Sequence, residues 1–488
     1  MYSDTPDIIP FTSPFKVELL TQAQLETLQG GTLRLLDEVG VHFPSQRALE
    51  ILADHGAQVD WETESVRIPP DLVQKAMSTA PRSFVLGGRE ERFDLLLDGS
   101  CSYLCTDGTG VHIVDLETQE MRASRKEDVA RMARVCDALP LISFYWPMVS
   151  AQDYGHAAPL HQCHAGLTNT LKHVRGGMTL PPQLAPYIVE MATAVAGNTQ
   201  ALRRRPPICA NFCTIAPLAQ DGHSIETALV YAEAGIPTSF MAMPTMGSTA
   251  PATPLGALAV GDAEVVSGMV LLQLAYPGAP VFHSILVSLM EPRTGGYVSM
   301  VPVFWSMMAA QLAHAWNVPS LGGARVSGDA LDVSWQSGWE GGFGSALIPL
   351  CGSEVTGLLG LLGSAMILYP EQMILDYEIC QFAYDVLHGF EFDAADMALG
   401  VIKGVGPRGH FLAQKHTRKR IRDFRLSPLL RQKDSDGNLR DPREMALEEF
   451  KRLDETHHPQ PLPREVLAEL DRILAAADRE AEKKGRDD

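Results

Sequence analysis

The sequence predicts an α/β fold, a (β/α)8 TIM barrel with an N-terminal helical and β extension and C-terminal helices. Two observations carry that reading: short apolar runs recur from Leu141 onward with helical stretches between most of them, and the runs are continuous in character instead of alternating. A spacing of roughly 30 to 40 residues is that of β/α units, and unbroken apolar strands belong to a sheet covered on both faces.

The chain opens with helices. Leu25, Leu28, Leu33, Leu35, Leu36 and Val39 recur largely at three- and four-residue intervals within Thr21–Val39, with Thr21 as N-cap and Gly40 as stop. Ser45–His55 and Pro69–Ala80 supply two more. Short β pieces follow at Ser83–Gly87, Phe93–Leu97, Gly110–Leu116 and Glu120–Arg122 and read as a small sheet. Ser124–Cys136 is a helix capped by Ser124.

Barrel strands are predicted at Leu141–Val149, His173–Thr179, Ile208–Ile215, Thr238–Met243, Val281–Val287, Val318–Gly322 and Glu354–Leu359. Their helices are Ala158–Thr170, Pro182–Gly197, Gly222–Gly235, Leu255–Tyr276, Val298–Trp316 and Leu331–Leu347. A barrel needs one more strand, whose place stays open. The alternative is a doubly wound open sheet, but no strand leads into a dinucleotide glycine fingerprint and no GxxxxGK[ST] phosphate loop occurs. Helices at Glu371–His388, Ala394–Val405 and Phe411–Phe424 come next, then an exposed loop, Asp434–Pro442, and a charged tail. The tail's Pro463–Lys483 helix docks on the barrel or on a second copy, which leaves a homo-oligomer open. The expected division is 1–137 extension, 138–390 barrel and 391–488 helices and tail.

Lys and Arg number 40 against 59 Asp and Glu, a formal charge of −19. That field repels nucleic acid and anionic membranes and favours cationic ligands. Met1–Pro14 lacks a secretory pattern, and the apolar stretch Val355–Leu368 is shorter than the ~18 residues of a span, so a cytoplasmic protein with no membrane partner is expected. Eight cysteines are then expected to be reduced. Cys101 with Cys105 and Cys209 with Cys213 lack the spacing of a structural zinc site, and His161 with His164 share a helix face but lack a third ligand, so no metal is expected.

The run VGPRGHFLAQKHTRKRIR, Val405 to Arg422, resembles the trimethylamine methyltransferase family, which carries Gly-Pro-x-Gly-His-Phe-Leu followed by His-Thr in this part of the chain. GVHFPSQRALEILADHGAQVD from Gly40, GSTAPATPLGALAVGDAEVVSGMVLLQLAYPGAPV from Gly247 and PEQMILDYEI from Pro370 agree in the same order. The resemblance implies a β/α barrel that moves a methyl group from a methylated amine to the cobalt of a separate corrinoid-binding protein. The corrinoid (cobalamin) is thus carried by the partner. Founding members use pyrrolysine, which this chain lacks, and relatives without it act on quaternary amines such as glycine betaine. Such relatives commonly show Gly-Gly-x-x-Thr-Asp-Ser-Lys after the sixth strand. Here the run is GGARVSGDALD, Gly322 to Asp332, with the glycines kept and the polar part changed. The family-typical His410 and His416 are expected to order the closing helices.

A quaternary ammonium donates no hydrogen bond, so aromatic faces with a nearby carboxylate or other acceptor should hold it. Tyr145, Trp146, Phe304, Trp305, Trp335 and Trp339 qualify, and each could instead be packing. Trp335 and Trp339 share one helix face just after the Gly322 loop. Gly322 and Gly323 let the backbone approach a ligand or merely make a tight turn. Transfer removes positive charge from nitrogen, so positioning should dominate, by neutral groups at strand ends: Asn211, Thr245, His283 and Ser284. Asp329 and Asp332 hold a cation or cap the next helix. The expected catalytic residues are Asn211, His283 and Asp329, and the expected substrate-binding residues Trp146, Phe304, Gly322, Gly323, Trp335 and Trp339. Two other readings are a non-catalytic small-molecule-binding barrel and a barrel lyase or hydrolase, the latter needing an acidic metal cluster that the strand ends do not offer.

Overall fold

The barrel strands are β1 (Tyr103–Thr106), β2 (Ile142–Tyr145), β3 (His173–Gly177), β4 (Ile208–Cys213), β5 (Thr238–Ala242), β6 (Val281–Ile285), β7 (residues 320–321) and β8 (Val355–Leu359). The computed structural model describes residues 2–298, 303–322, 328–389, 392–423 and 425–484. Seven strands form one parallel sheet in the order β6-β5-β4-β3-β2-β1-β8. β7 joins its two ends: His283 N donates to Pro319 O at 2.9 Å and Leu321 N to His283 O at 2.9 Å, while Gly322 N donates to Val355 O at 2.8 Å and Val355 N to Ser320 O at 3.1 Å. Closure excludes the open sheet.

The strand left open by sequence is β1, which lies inside the stretch expected to form a small N-terminal sheet. It pairs with β2 on one side and β8 on the other. Gly357, at φ +124°, makes the second pairing feasible, because a Cβ there would sit 2.3 Å from Cys105 O.

Each strand is followed by a helix: α1 (Lys126–Asp137), α2 (Ala158–Asn169), α3 (Ala185–Ala196), α4 (Gly222–Ala234), α5 (Pro254–Ala275), α6 (Val303–Ala315), α7 (Trp335–Leu347) and α8 (Pro370–His388). Caps set several ends. The Asp221 carboxylate accepts from Ser224 N to start α4, and left-handed Gly235 ends it. The cap expected for α1 differs. Arg125 holds the N-cap position and Asp128 accepts from its backbone N–H at 2.9 Å, while the Ser124 hydroxyl donates to Ser150 O at 2.7 Å. α5 is long and apolar enough to cross a membrane, yet most of it is buried within the protein, so it is a core helix.

The inner core comprises Tyr103, Cys105, Phe144, Cys209, Met241, Phe282, Leu321 and Val355, closed by Leu86, Leu95 and Leu97 from an antiparallel hairpin, Phe84–Leu86 with Leu95–Leu97. The outer core lies between strands and helices. The tail's last helix, α9 (Arg464–Lys484), docks on the barrel. His161 Nε2 lies 2.9 Å from Asp478 Oδ1 and His164 Nε2 3.2 Å from Asp471 Oδ1. These histidines fasten helix to helix. Between 392 and 428 no described residue is buried, and His410 and His416 lie on this exposed arm. The expected boundary at 390/391 falls outside the described residues.

Candidate active site at the barrel mouth

Alternation along each strand sends every second side chain inward. Phe144 and Trp146 on and just after β2, Arg175 on β3, Cys209 on β4, Met241 on β5 and Phe282 on β6 share the interior. Asn211, two residues beyond Cys209, is buried and accepts a hydrogen bond from the Ser239 hydroxyl at 2.5 Å. The mouth is formed where these strands end, beside Asp107 after β1 and Asp329 after β7.

A small sheet brings a further side chain there. Thr245–Met246 pairs with Ser288–Met290, and that strand turns back as Tyr297–Val298. Tyr297 is 38% exposed overall, yet desolvation around its hydroxyl pushes it up to about 12, the charges of Asp329 and Asp107 adding to it, while Ser288 pulls the other way. Both carboxylates are therefore within electrostatic reach of the phenol, which stays protonated at neutral pH. Trp146 lies against the backbone of Gly108, where a Cβ would come within 2.6 Å of the indole. Its Nε1 is buried without a hydrogen-bond partner among the described residues.

The expected site residues separate into groups. Trp146, Asn211 and Asp329 belong to the interior or its mouth. His283 faces out of the barrel, 2.7 Å from Asp262 Oδ1 on α5; its neighbour Ser284 is buried and donates to Leu321 O at 3.0 Å. The Thr245 hydroxyl lies 2.7 Å from that of Ser288. Tyr145 donates its hydroxyl to Val129 O on α1 at 2.9 Å, and Trp305 packs into the outer core. Gly322 is close-packed: a Cβ would meet Ile348 Cγ2 at 2.8 Å and Ser353 Oγ at 3.0 Å, so wall packing already demands glycine there. Gly323 lies outside the described residues. Phe304 is 57% exposed at the start of α6, and Trp335 is 81% exposed. Trp335 and Trp339 stack with ring centres 6.2 Å apart, a surface pair. Asp332 accepts from Arg443 at 3.2 Å.

Asp107, Arg175 and Tyr297 are additional. Arg175 carried a signal, a charge inside an apolar strand. Asp107 follows the strand that sequence did not reveal, and Tyr297 sits in a connection without periodicity.

The family description Trimethylamine methyltransferase (MTTB) matches residues 8–481. Trimethylamine methyltransferase MttB of Desulfitobacterium hafniense (strain DSM 10664 / DCB-2) is 31% identical over 463 residues, covering 92% of each chain. Glycine betaine methyltransferase of Desulfitobacterium hafniense (strain Y51) is 28% identical over 425 residues, 85% of this chain and 87% of that one. The solved monomethylamine methyltransferase of Methanosarcina barkeri aligns with a TM-score of 0.46 at 11% identity, over 97% of this chain and 90% of its own.

Proposed function

Because this chain belongs to the trimethylamine methyltransferase family and is a methyltransferase enzyme, we propose that its donor is a quaternary amine bound at the barrel mouth and its acceptor the cobalt of a separate corrinoid protein. The observation that carries the reading is that the charges of Asp107 and Asp329 both act on Tyr297 at the strand ends, while the Trp146 indole packs against the backbone of Gly108, next to Asp107 in the chain. In this reading Trp146 faces the ammonium, the two carboxylates draw it in, and Asn211 orients it.

The chemistry favours a quaternary donor. The carbon–nitrogen bond breaks with its electron pair staying on nitrogen, the methyl group joins cobalt(I), and a neutral tertiary amine leaves without any proton transfer. A tertiary donor would have to leave as an amide anion or be protonated first, and the chain has no pyrrolysine to assist it. Positioning is then the protein's main task. The partner docks over the mouth, because a corrinoid is too large to enter the barrel. A cytoplasmic setting fits eight cysteines that are all unbridged. We divide the work among 1–137, 138–390 and 391–488, the barrel drawing its first strand and helix from the first part.

The test is anaerobic methylation of free cob(I)alamin by the purified protein with a panel of tertiary and quaternary methylamines. Turnover with quaternary donors alone is expected. Turnover with trimethylamine, or with none of the panel, overturns the reading.

A further inference from the structure

Arg175 is wholly buried inside the barrel, and its Nε, Nη1 and Nη2 have no hydrogen-bond partner among the described residues. Its guanidinium lies 4.4 Å from the centre of the Trp146 ring, 5.5 Å from that of Phe144 and 5.7 Å from that of Phe282. Three aromatic faces offset part of the cost of taking the charge out of water, but they leave the planar fork of N–H donors without oxygen acceptors. The Cys209 thiol feels this charge and a weak side-chain interaction with the guanidinium, yet burial pushes its pKa up, so it stays protonated and offers a poor sulfur acceptor in place of a counter-charge. The Trp146 indole Nε1 is a second buried donor without an acceptor, on the ring that covers the guanidinium.

An unpaired interior charge is costly to fold around, and it makes sense where a ligand completes it. The reaction geometry indicates which ligand. The corrinoid stays outside, so the methyl group must face outward and the rest of the donor inward. Whatever the nitrogen carries at its inner end meets the Arg175 fork and the Trp146 N–H. A planar group with two anionic oxygens matches those donors.

We propose that Arg175, together with the Trp146 indole N–H, is the receptor for a carboxylate on the methyl donor, so that the enzyme selects zwitterions with a quaternary ammonium at one end and a carboxylate at the other. This rests on the amine-to-corrinoid reading above and specifies its substrate class.

Glycine betaine and choline share the trimethylammonium head and differ in carboxylate against neutral alcohol. For each, kcat/KM is measured with free cob(I)alamin, and affinity is measured separately by calorimetry without it. Wild type is expected to favour the carboxylate donor by roughly ten- to hundredfold, the scale of charge-assisted hydrogen bonds. Arg175→Gln should bring that ratio near one, and Arg175→Lys, which keeps the charge but not the fork, should fall between. Thermal melts accompany each variant. A receptor that burdens the free protein predicts that Arg175→Gln melts no lower than wild type. No preference in wild type, or an undiminished one in folded Arg175→Gln, overturns the proposal. Should Arg175→Gln not fold, an undiminished ratio in Arg175→Lys overturns the forked receptor. If no donor methylates cobalamin while calorimetry still reads Arg175-dependent carboxylate binding, the transfer reading fails and the receptor stands.

Discussion

His283 Nε2 lies 2.7 Å from Asp262 Oδ1, on the outer side of the barrel wall. Trp316 Nε1 donates to the same carboxylate at 3.0 Å, and the Thr32 hydroxyl at 2.6 Å. One buried aspartate thus ties β6, the end of α6 and the N-terminal helix Gln22–Arg34 together. Removing a partner from such a group leaves polar atoms stranded, so Asp262→Ala should cost about 3 to 5 kcal/mol. His283→Gln should lower the melting temperature while leaving the donor-saturated rate per folded molecule within about threefold. A folded His283→Gln protein with a far slower rate would return His283 to the chemistry.

At the mouth, Trp146→Leu keeps apolar bulk and removes the ring. With choline, which has no carboxylate for the indole N–H to meet, KM should rise roughly two- to thirtyfold, matching the ~0.5 to 2 kcal/mol of a cation over an aromatic face. Steady-state kinetics with free cob(I)alamin provides the check, and an unchanged KM would take Trp146 out of the ammonium site.

Trp335 lies at the other extreme of exposure. Substituting alanine should change stability by less than about 0.5 kcal/mol and leave donor KM with free cobalamin within about twofold. A large KM increase, measured the same way, would mean that the Trp335–Trp339 stack folds over the pocket in the bound state.

Much of the barrel was readable from its apolar rhythm, because seven strands each carry a continuous buried run. β1 was not. Its four residues sit between a bend at 98–101 and an irregular stretch at 107–109, and a hairpin, His112–Val114 with Met121–Ala123, separates it from α1. The usual strand-then-helix signature is therefore interrupted. At the site, Trp146 and Asp329 were legible as an aromatic and an acid near strand ends. His283 and Ser284 show where sequence runs out. Adjacent residues on a strand face opposite ways, and only the register decides which enters the barrel.

Acid should weaken the fold through three histidines. Burial lowers the pKa of His161 and of His164, Lys126 reinforcing the effect on each, and burial lowers His173 to about 3. Asp478 and Asp471 oppose it in the first two. Around neutral pH these groups are uncharged folded and largely so unfolded. As pH falls through 6.5, the unfolded chain binds protons that the native one refuses, and stability is lost until the folded values are reached. Each tenfold difference in proton affinity contributes about 1.4 kcal/mol. Denaturant unfolding at about pH 7.5 and about pH 5 should show the loss, with a smaller difference in His173→Phe. Equal stability at both values would show that the imidazoles titrate normally.

Asp137 at the end of α1 accepts hydrogen bonds from Thr5 at 2.6 Å, Thr170 at 2.7 Å and Leu171 N at 2.8 Å, and lies 2.7 Å from His457 Nε2. Its last partner is 320 residues further along the chain. During translation at about 5 to 20 residues per second, that carboxylate waits roughly 15 to 60 seconds for His457 to be made. The barrel cannot reach its final form on the ribosome before then, and a chain stalled or truncated short of His457 leaves that carboxylate at the end of α1 one partner short.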